Sequence, residues 1–246
     1  MLSKKVAIVT GAGSGIGEAI ALLFAKNGAR VVVADVDKKG GKRVVKKITK
    51  SGGTALFVEC DVSDPRANAA LVKTTLKEFK RLDIAVNNAG VGGAQAPVGD
   101  YGVEDWQRVI DINLSGVFYG MHHQIPAMKK GGAVVNMASI LGQVGTPQSP
   151  AYVAAKHGVI GLSRSAALAY AQQKIRVNAV GPGYVETPLL TDNLPQEQLA
   201  EIKKLHPVGR LGKPGEVAEL VLWLCSDKAS FVTGAYYNVD GGYLAQ

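Results

Sequence analysis

Short β-branched apolar runs alternate with amphipathic segments of helical length, and this alternation limits what the chain can fold into. Strand-like runs stand at 6–10 (VAIVT), 30–35 (RVVVAD), 54–60 (TALFVEC), 82–90 (LDIAVNNAG), 132–139 (GAVVNMAS), 175–180 (IRVNAV) and 236–240 (YYNVD). Helical segments lie between them: 16–27, stopped by Gly28; the lysine-rich stretch before 54; 65–81, opened by Pro65 with Asp64 as cap. Further on come 103–128, as one long helix or a pair, then 151–173 and 214–225. Strands separated by helices pair in parallel, because each parallel connection needs about a dozen residues or more. The strands are apolar at nearly every position, as a sheet covered on both faces requires. The expected fold is α/β: one Rossmann-like, doubly wound domain over residues 1–246, with about seven mostly parallel strands and helices on both faces. The mixed polar segment 184–212 breaks the alternation and reads as a substrate lid.

Composition removes several classes of function. Of the 246 residues 47% are hydrophobic and 20% charged, enough for a substantial core and unlike a disordered chain. No apolar run reaches the roughly 18 residues of a membrane span. The first one, Val6 to Val9, leads into a glycine loop rather than a cleavage site. A cytoplasmic protein with no membrane partner is expected. Cys60 and Cys225 are too few and too far apart for a disulfide framework, and the histidines, including His122 and His123, lack zinc-ligand spacing. Reduced structural thiols and no metal are expected. The net charge of +8 invites a nucleic-acid reading. Much of the lysine, however, falls in 37–50 (DKKGGKRVVKKITK), a solvated helix face with no interleaved aromatics to stack bases. No nucleic-acid partner is expected.

Thr10-Gly11-Ala12-Gly13-Ser14-Gly15-Ile16-Gly17 joins the first strand to the first helix. Glycines there permit the sharp turn and let backbone amides approach a pyrophosphate at the helix N-terminus. Gly11, Ser14, Gly15, Ile16 and Gly17 are therefore candidate cofactor-binding residues. The spacing is TGxxxGxG; counted from Gly11, the last glycine of a GxGxxG pattern would fall on Ile16. A glycine-rich turn without ligand is the alternative. Asp35 ends the second strand, 18 residues beyond Gly17, where a carboxylate hydrogen-bonds the adenosine ribose hydroxyls. Its charge repels a 2′-phosphate, which favours NAD(H) over NADP(H). Lys38 and Lys39 close behind it weigh the other way, but no arginine sits inside the loop. The alternative for Asp35 is a cap on the next helix.

Further along stand Asn87-Asn88-Ala89-Gly90, Asn113, Ser139, Tyr152-Val153-Ala154-Ala155-Lys156, Pro182-Gly183 and Asp240-Gly241-Gly242. Together with TGxxxGxG, in this order and at these distances, they resemble the short-chain dehydrogenase/reductase family over essentially the whole chain. Ala138-Ser139 departs slightly, since many members have two serines, but Ser139 still precedes Tyr152 by 13 residues. The short stretch after Gly242 argues against the longer epimerase-like relatives. The resemblance implies a catalytic set of Asn113, Ser139, Tyr152 and Lys156. Lys156 would also hold the nicotinamide ribose, and Asn113 a water in a proton relay towards the lysine. Asp61 and Val62 would flank the adenine, and Asn88, Ala89 and Gly90 would line the adenosine ribose. Pro182, Gly183, Val185 and Thr187 would border the nicotinamide. Asn87 is assigned to linking strands, His122-His123 to packing or an interface, and Tyr236 and Tyr237 to a subunit contact or the core. A homodimer or homotetramer is implied.

These residue types suit alcohol oxidation. A base must remove the hydroxyl proton as hydride leaves the same carbon, and a free tyrosine, with a reference pKa of about 10, is too weakly acidic for that at neutral pH. Tyr152 and Lys156, four apart, share a helix face, and an ammonium beside a phenolate favours the ionised form. Ser139 would hydrogen-bond the substrate oxygen. A loop serine and a buried asparagine that only satisfies backbone are the alternatives for Ser139 and Asn113. The expected activity is hydride transfer between NAD(H) and a small secondary alcohol or ketone. Val91 to Pro97, Ile140, Leu141, Leu189 and Leu190 are the expected pocket walls. One rival is an NADPH-dependent 3-oxoacyl-carrier-protein reductase, favoured by the basic surface and opposed by Asp35. The other is a catalytically silent nucleotide-sensing regulator, opposed by the presence of both Tyr152 and Lys156.

Overall fold

Apolar runs too short for helices, and covered on both sides, become the strands of one sheet. In the computed structural model, which describes residues 1–129, 131–192 and 195–246 apart from the side chain of Leu189, these are β1 (Val6–Thr10), β2 (Arg30–Asp35), β3 (Thr54–Glu59), β4 (Ile84–Asn87), β5 (Gly132–Met137), β6 (Ile175–Pro182) and β7 (Tyr236–Val239). Their order is β3-β2-β1-β4-β5-β6-β7, and each neighbouring pair is parallel. The winding direction reverses between β1 and β4, so a crevice opens beyond their carboxyl ends, the place where such sheets bind ligands.

The strand ends differ from the sequence pattern for identifiable reasons. β4 stops at Asn87 because the amides of Asn88 and Ala89 turn to the Thr10 hydroxyl, at 3.0 and 3.2 Å. β6 runs on through Gly181 and Pro182 because β7 pairs with them.

Successive side chains of a strand point to opposite faces. Ala7 and Val9 of β1 accordingly join one apolar cluster, with Ile20 and Phe24 of α1 (Gly15–Lys26), Val44 and Ile48 of α2 (Lys38–Lys50), and Val217 and Val221 of α9 (Pro214–Cys225). Val6 and Ile8 join the other, with Leu71 of α3 (Pro65–Phe79), Met121 of α5 (Gly116–Ala127) and Val159 of α6 (Pro150–Tyr170). Each such fully buried aliphatic side chain contributes about 1.5–3 kcal/mol. Burial also pushes the Cys60 thiol up to about 11 and that of Cys225 to about 12, so both stay protonated and inert.

Asp64 caps α3 by accepting from Arg66 N, with Pro65 in the first turn. The segment 103–128 is neither one helix nor a simple pair: α4 (Val103–Ile110) passes through a π turn at Asp111–Ser115 into α5. The expected lid contains α7 (Pro188–Thr191) and α8 (Gln196–Lys204). Asn193, Leu194 and the Leu189 side chain, which fall inside it, lie outside the described residues. Among the described residues no helix is long and apolar enough to cross a membrane.

Candidate active site

The glycine loop is shaped by contacts within the chain. Gly11 and Gly15 hold φ of +61° and +53°, values that side chains with a Cβ rarely adopt. A Cβ at Gly11 would lie 2.8 Å from Ala89 Cα, and one at Gly17 would strike the Gly11 carbonyl. α1 starts from Ser14, whose side chain is exposed and makes no capping hydrogen bond. The first-turn amides of α1 are therefore available to an anion. Glu18, the one acid in that turn, is held by Arg43 at 2.6 Å and Lys47 at 2.7 Å.

Asp35 sits against this loop. Its Oδ2 accepts from Gly13 N at 2.7 Å and its Oδ1 from Asp37 N at 2.8 Å. The cap of α2 is Asp37, which accepts from the amides of Lys39 and Gly40, so Asp35 is not spent on the helix. Sequence reasoning missed Arg43, whose guanidinium comes from α2 to donate to Gly13 O at 2.7 Å. The signal was the Gly40-Gly41 pair: a Cβ at Gly40 would lie 2.8 Å from Gly13 O, so glycine is what lets α2 rest on the loop.

The other adenosine-side candidates lie at the same sheet edge. Asp61 is exposed beyond β3, with its Oδ1 accepting from the amide and hydroxyl of Ser63. Val62 is buried against Gly116. Asn88 ties β4 to β1 by donating to Thr10 O at 2.9 Å and Gly11 O at 3.2 Å. Asn87 donates to Asn136 across the β4–β5 pair at 2.8 Å, the strand link its position suggested.

The four candidate catalytic residues converge beyond β4 and β5. Asn113 lies in the π turn, fully buried, with Oδ1 accepting from Val91 N at 2.8 Å and Nδ2 donating to Val91 O at 2.7 Å. Both bonds go to backbone, and they hold the start of the loop after β4. Gly90 fits closely beside it: a Cβ there would lie 2.8 Å from Asn113 Oδ1 and 3.6 Å from Lys156 Nζ. Ser139 leaves the end of β5, its Oγ accepting from Leu141 N at 3.2 Å.

Tyr152 and Lys156 share a face of α6, with the ammonium 5.4 Å from the centre of the tyrosine ring. Lys156 is 3% exposed and donates to Met137 O at 2.8 Å. An ammonium has three donors, so the bond to Met137 leaves capacity for a sugar hydroxyl or water. Burial pushes Lys156 down to about 8. Tyr152 is raised above its ordinary value, chiefly by burial, with its hydrogen bond to Ser139 acting in the opposite direction. The expected depression of Tyr152 by the lysine is therefore not a property of the chain alone. Both charged forms lose solvation in the cleft, which opposes the phenolate as well as the ammonium.

Pro182 ends β6, and Gly183 just beyond it donates from N to Val239 O at 3.0 Å. Val185 is buried and bridges to Gly212, which closes the base of the lid. The Thr187 methyl lies over the glycine loop, 3.2 Å from where a Gly15 Cβ would be. His206 was missed in sequence: 2% exposed, it accepts from Tyr184 N at 3.2 Å through Nε2 and faces Ile202 O through Nδ1, fastening the end of α8 to the exit of β6. Of the expected walls, the loop after β4 is tied to the one before α6 by Ala96 N to Gln148 O at 3.0 Å. Ile140 is 2% exposed, and its turn packs on α6, so it is core rather than wall.

An uncapped helix start, a carboxylate beside the loop and a buried lysine with spare donors fit a dinucleotide laid across the β1–β4 crevice. The family model described as enoyl-(acyl carrier protein) reductase matches residues 11–244. Cyclohexanol dehydrogenase of Acinetobacter sp. (strain SE19) is 47% identical, with 99% of this chain and 96% of that one covered. Cis-4-hydroxycyclohexanecarboxylate dehydrogenase of Sinomonas cyclohexanicum is also 47% identical, with 99% and 98% covered. The crystal structure of levodione reductase superposes with a TM-score of 0.94 at 35% identity, covering 100% of this chain and 99% of that one. The chain belongs to the short-chain dehydrogenase/reductase family, whose members are oxidoreductases that use nicotinamide cofactors.

Proposed function

We propose that this enzyme interconverts a ring-bearing secondary alcohol and its ketone, with NAD(H) as cofactor and Asn113, Ser139, Tyr152 and Lys156 as its working residues. The observation that carries the reading is the meeting of part-buried Tyr152 with buried Lys156 and Ser139 in one group at the carboxyl end of β5. The ring-alcohol class is supported by the two relatives at 47% identity over nearly the full length. The NAD(H) preference is supported by Asp35, which presents a carboxylate beside Gly13 where a 2′-phosphate would have to sit. Arg43, the nearby cation, is engaged by Glu18 and Gly13 O.

In this reading a bound nicotinamide, held by Lys156 at its ribose and bordered by Pro182, Gly183, Val185 and Thr187, would supply the hydride acceptor for the alcohol carbon or the hydride donor for the ketone. Ser139 Oγ hydrogen-bonds the substrate oxygen and keeps it within reach of Tyr152 Oη. Tyr152 Oη receives the alcohol proton in oxidation and gives it back in reduction. Lys156, fixed by Met137 O, favours the phenolate as the site closes and loses water. Each pKa unit taken off the tyrosine requires about 1.4 kcal/mol. Asn113 holds the loop over the lysine and offers a place for the relay water. Closure by the lid at 184–212 and assembly of two or four copies of this single-domain chain belong to the same proposal.

Titration of the wild type and Asp35→Ala with NADH and NADPH, followed by turnover on cyclohexanol and other ring alcohols, tests the reading. NADH is expected to bind at least about tenfold tighter, a difference of about 1.4 kcal/mol, and Asp35→Ala to lose that preference. NADPH binding tighter to the wild type would instead favour an NADPH-dependent 3-oxoacyl-carrier-protein reductase.

A further inference from the structure

We infer that Tyr236 is a positioning residue for Ser139, reaching over β6 from β7 to hold the serine backbone in place. The Tyr236 hydroxyl donates to Ser139 O at 2.8 Å, across 97 residues of sequence. Ser139 follows the end of β5, and β6 lies between β5 and β7, so the phenol must pass over the intervening strand. It does so at Gly181. A Cβ at Gly181 would run into the Tyr236 hydroxyl and the adjoining ring carbons, so glycine at this position is what opens the path. The ring itself packs on the apolar cluster beneath α6, which fixes its direction.

Few other bonds hold Ser139. Its carbonyl also accepts from Gly142 N at 2.9 Å, a contact local to the turn 140–142. Ala138 N still pairs with Val180 O at 2.8 Å, and after that the chain leaves the sheet. The Tyr236 bond is thus the long-range contact that fixes the serine relative to the rest of the sheet. It also acts on Tyr152 at one remove, because the hydrogen bond with Ser139 opposes the rise that burial imposes on the tyrosine. A serine that wanders holds the substrate oxygen less well and leaves Tyr152 a weaker acid. Displacements of an ångström at a reacting centre can cost up to about 100-fold in rate.

The inference rests on the reading of Ser139 as part of the working site, so its test carries a readout independent of turnover. Tyr236→Phe keeps the ring and removes only the hydroxyl. Hydrogen exchange of the amides at 139–143 is expected to accelerate in this variant, with or without substrate. On a ring alcohol that the wild type turns over, kcat is expected to fall about tenfold, cofactor affinity to stay within twofold, and the rising limb of the oxidation pH profile to move to higher pH. Gly181→Ala is expected to lower kcat at least as much, yet to add nothing in a Tyr236→Val background, where the ring it would strike is gone. Unchanged exchange at 139–143 together with an unmoved pH profile would overturn the inference. A wild type inactive on every alcohol, with exchange still accelerated in Tyr236→Phe, would instead overturn the proposed reaction and leave the positioning role standing.

Discussion

The two ends of the sheet bury polar side chains to opposite purposes. At the amino end, Asp83 is 5% exposed just before β4. It accepts from Val6 N at 2.8 Å and from the Arg81 guanidinium at 2.8 and 2.6 Å. Arg81 is held above its ordinary pKa by that hydrogen bond. Arg176, also at this end, donates to Ser226 O and Val232 O. A cavity of about 170 Å³ opens there, lined by Lys5, Arg81, Asp83, Arg176 and Asp227 among others, and these charges are largely spent on the chain's own groups. The same strands, followed to their carboxyl ends, meet Ser14 with no capping bond, Lys156 with one hydrogen bond to the chain, and a Tyr152 raised by burial. Polarity that is fully paired stabilises the fold; polarity left with capacity, at a cost in stability, is available to a ligand.

Removing the Tyr152 hydroxyl gives the sharpest form of this contrast. Tyr152→Phe is expected to lower kcat by about 10³-fold or more, the upper range for loss of a proton-transfer group. Cofactor affinity and the urea midpoint should stay close to wild type, because the hydroxyl is not spent on holding the fold. Turnover within tenfold of wild type would remove Tyr152 from the chemistry.

Asp83→Ala tests the other end. It leaves Arg81 without its partner and Val6 N without an acceptor, and breaking such a pair costs about 3–5 kcal/mol when buried. Arg81 is part-exposed, which moves the expectation to the lower end of that range. Urea unfolding should show the loss, while kcat per folded molecule stays unchanged. A fall in kcat at full folding would mean that the two ends are coupled and the contrast is false.

The division also explains what the sequence could reveal. All seven strands, the helices between them other than α7 and α8, and the cap at Asp64 were legible, because periodicity and capping are local. The placement of Asp35 beside the glycine loop was legible as well, since strand end, glycine loop and carboxylate are related by a short, stereotyped turn. The π turn was not: Asp111–Ser115 is bounded by residues with helical angles, so nothing interrupts the pattern of 103–128. Its function is visible only when Asn113 is seen paired with Val91, a contact made by tertiary structure. Arg43 on Gly13, His206 on Tyr184 and Tyr236 on Ser139 were hidden for the same reason, each joining elements far apart in the chain. Tyr236 read as core or interface because its hydroxyl partner is a backbone carbonyl two strands away.

The smallest of these effects concerns Lys156, where function and stability oppose each other. Burial lowers its pKa from 10.5 in the unfolded chain to about 8 in the folded one. Below pH 8 both states carry the proton, and the full cost of burying the ammonium is present. Between pH 8 and 10.5 the unfolded chain binds more protons than the folded one, so stability rises with pH. Above 10.5 both are neutral and the cost is gone. From 1.4 kcal/mol per unit, that cost is about 3–4 kcal/mol. Lys156→Met should therefore stabilise the cofactor-free protein at pH 7 relative to wild type. Loss of the hydrogen bond to Met137 O, worth about 1 kcal/mol at every pH, offsets part of the gain. The change of the gap with pH is thus the decisive quantity: the unfolding free energies of the two proteins from urea titration should differ by about 3 kcal/mol less in favour of Lys156→Met at pH 10.5 than at pH 7. A gap that stays constant would mean that Lys156 is not buried as a charge at neutral pH, and that the carboxyl end of the sheet bears no stability cost for its lysine.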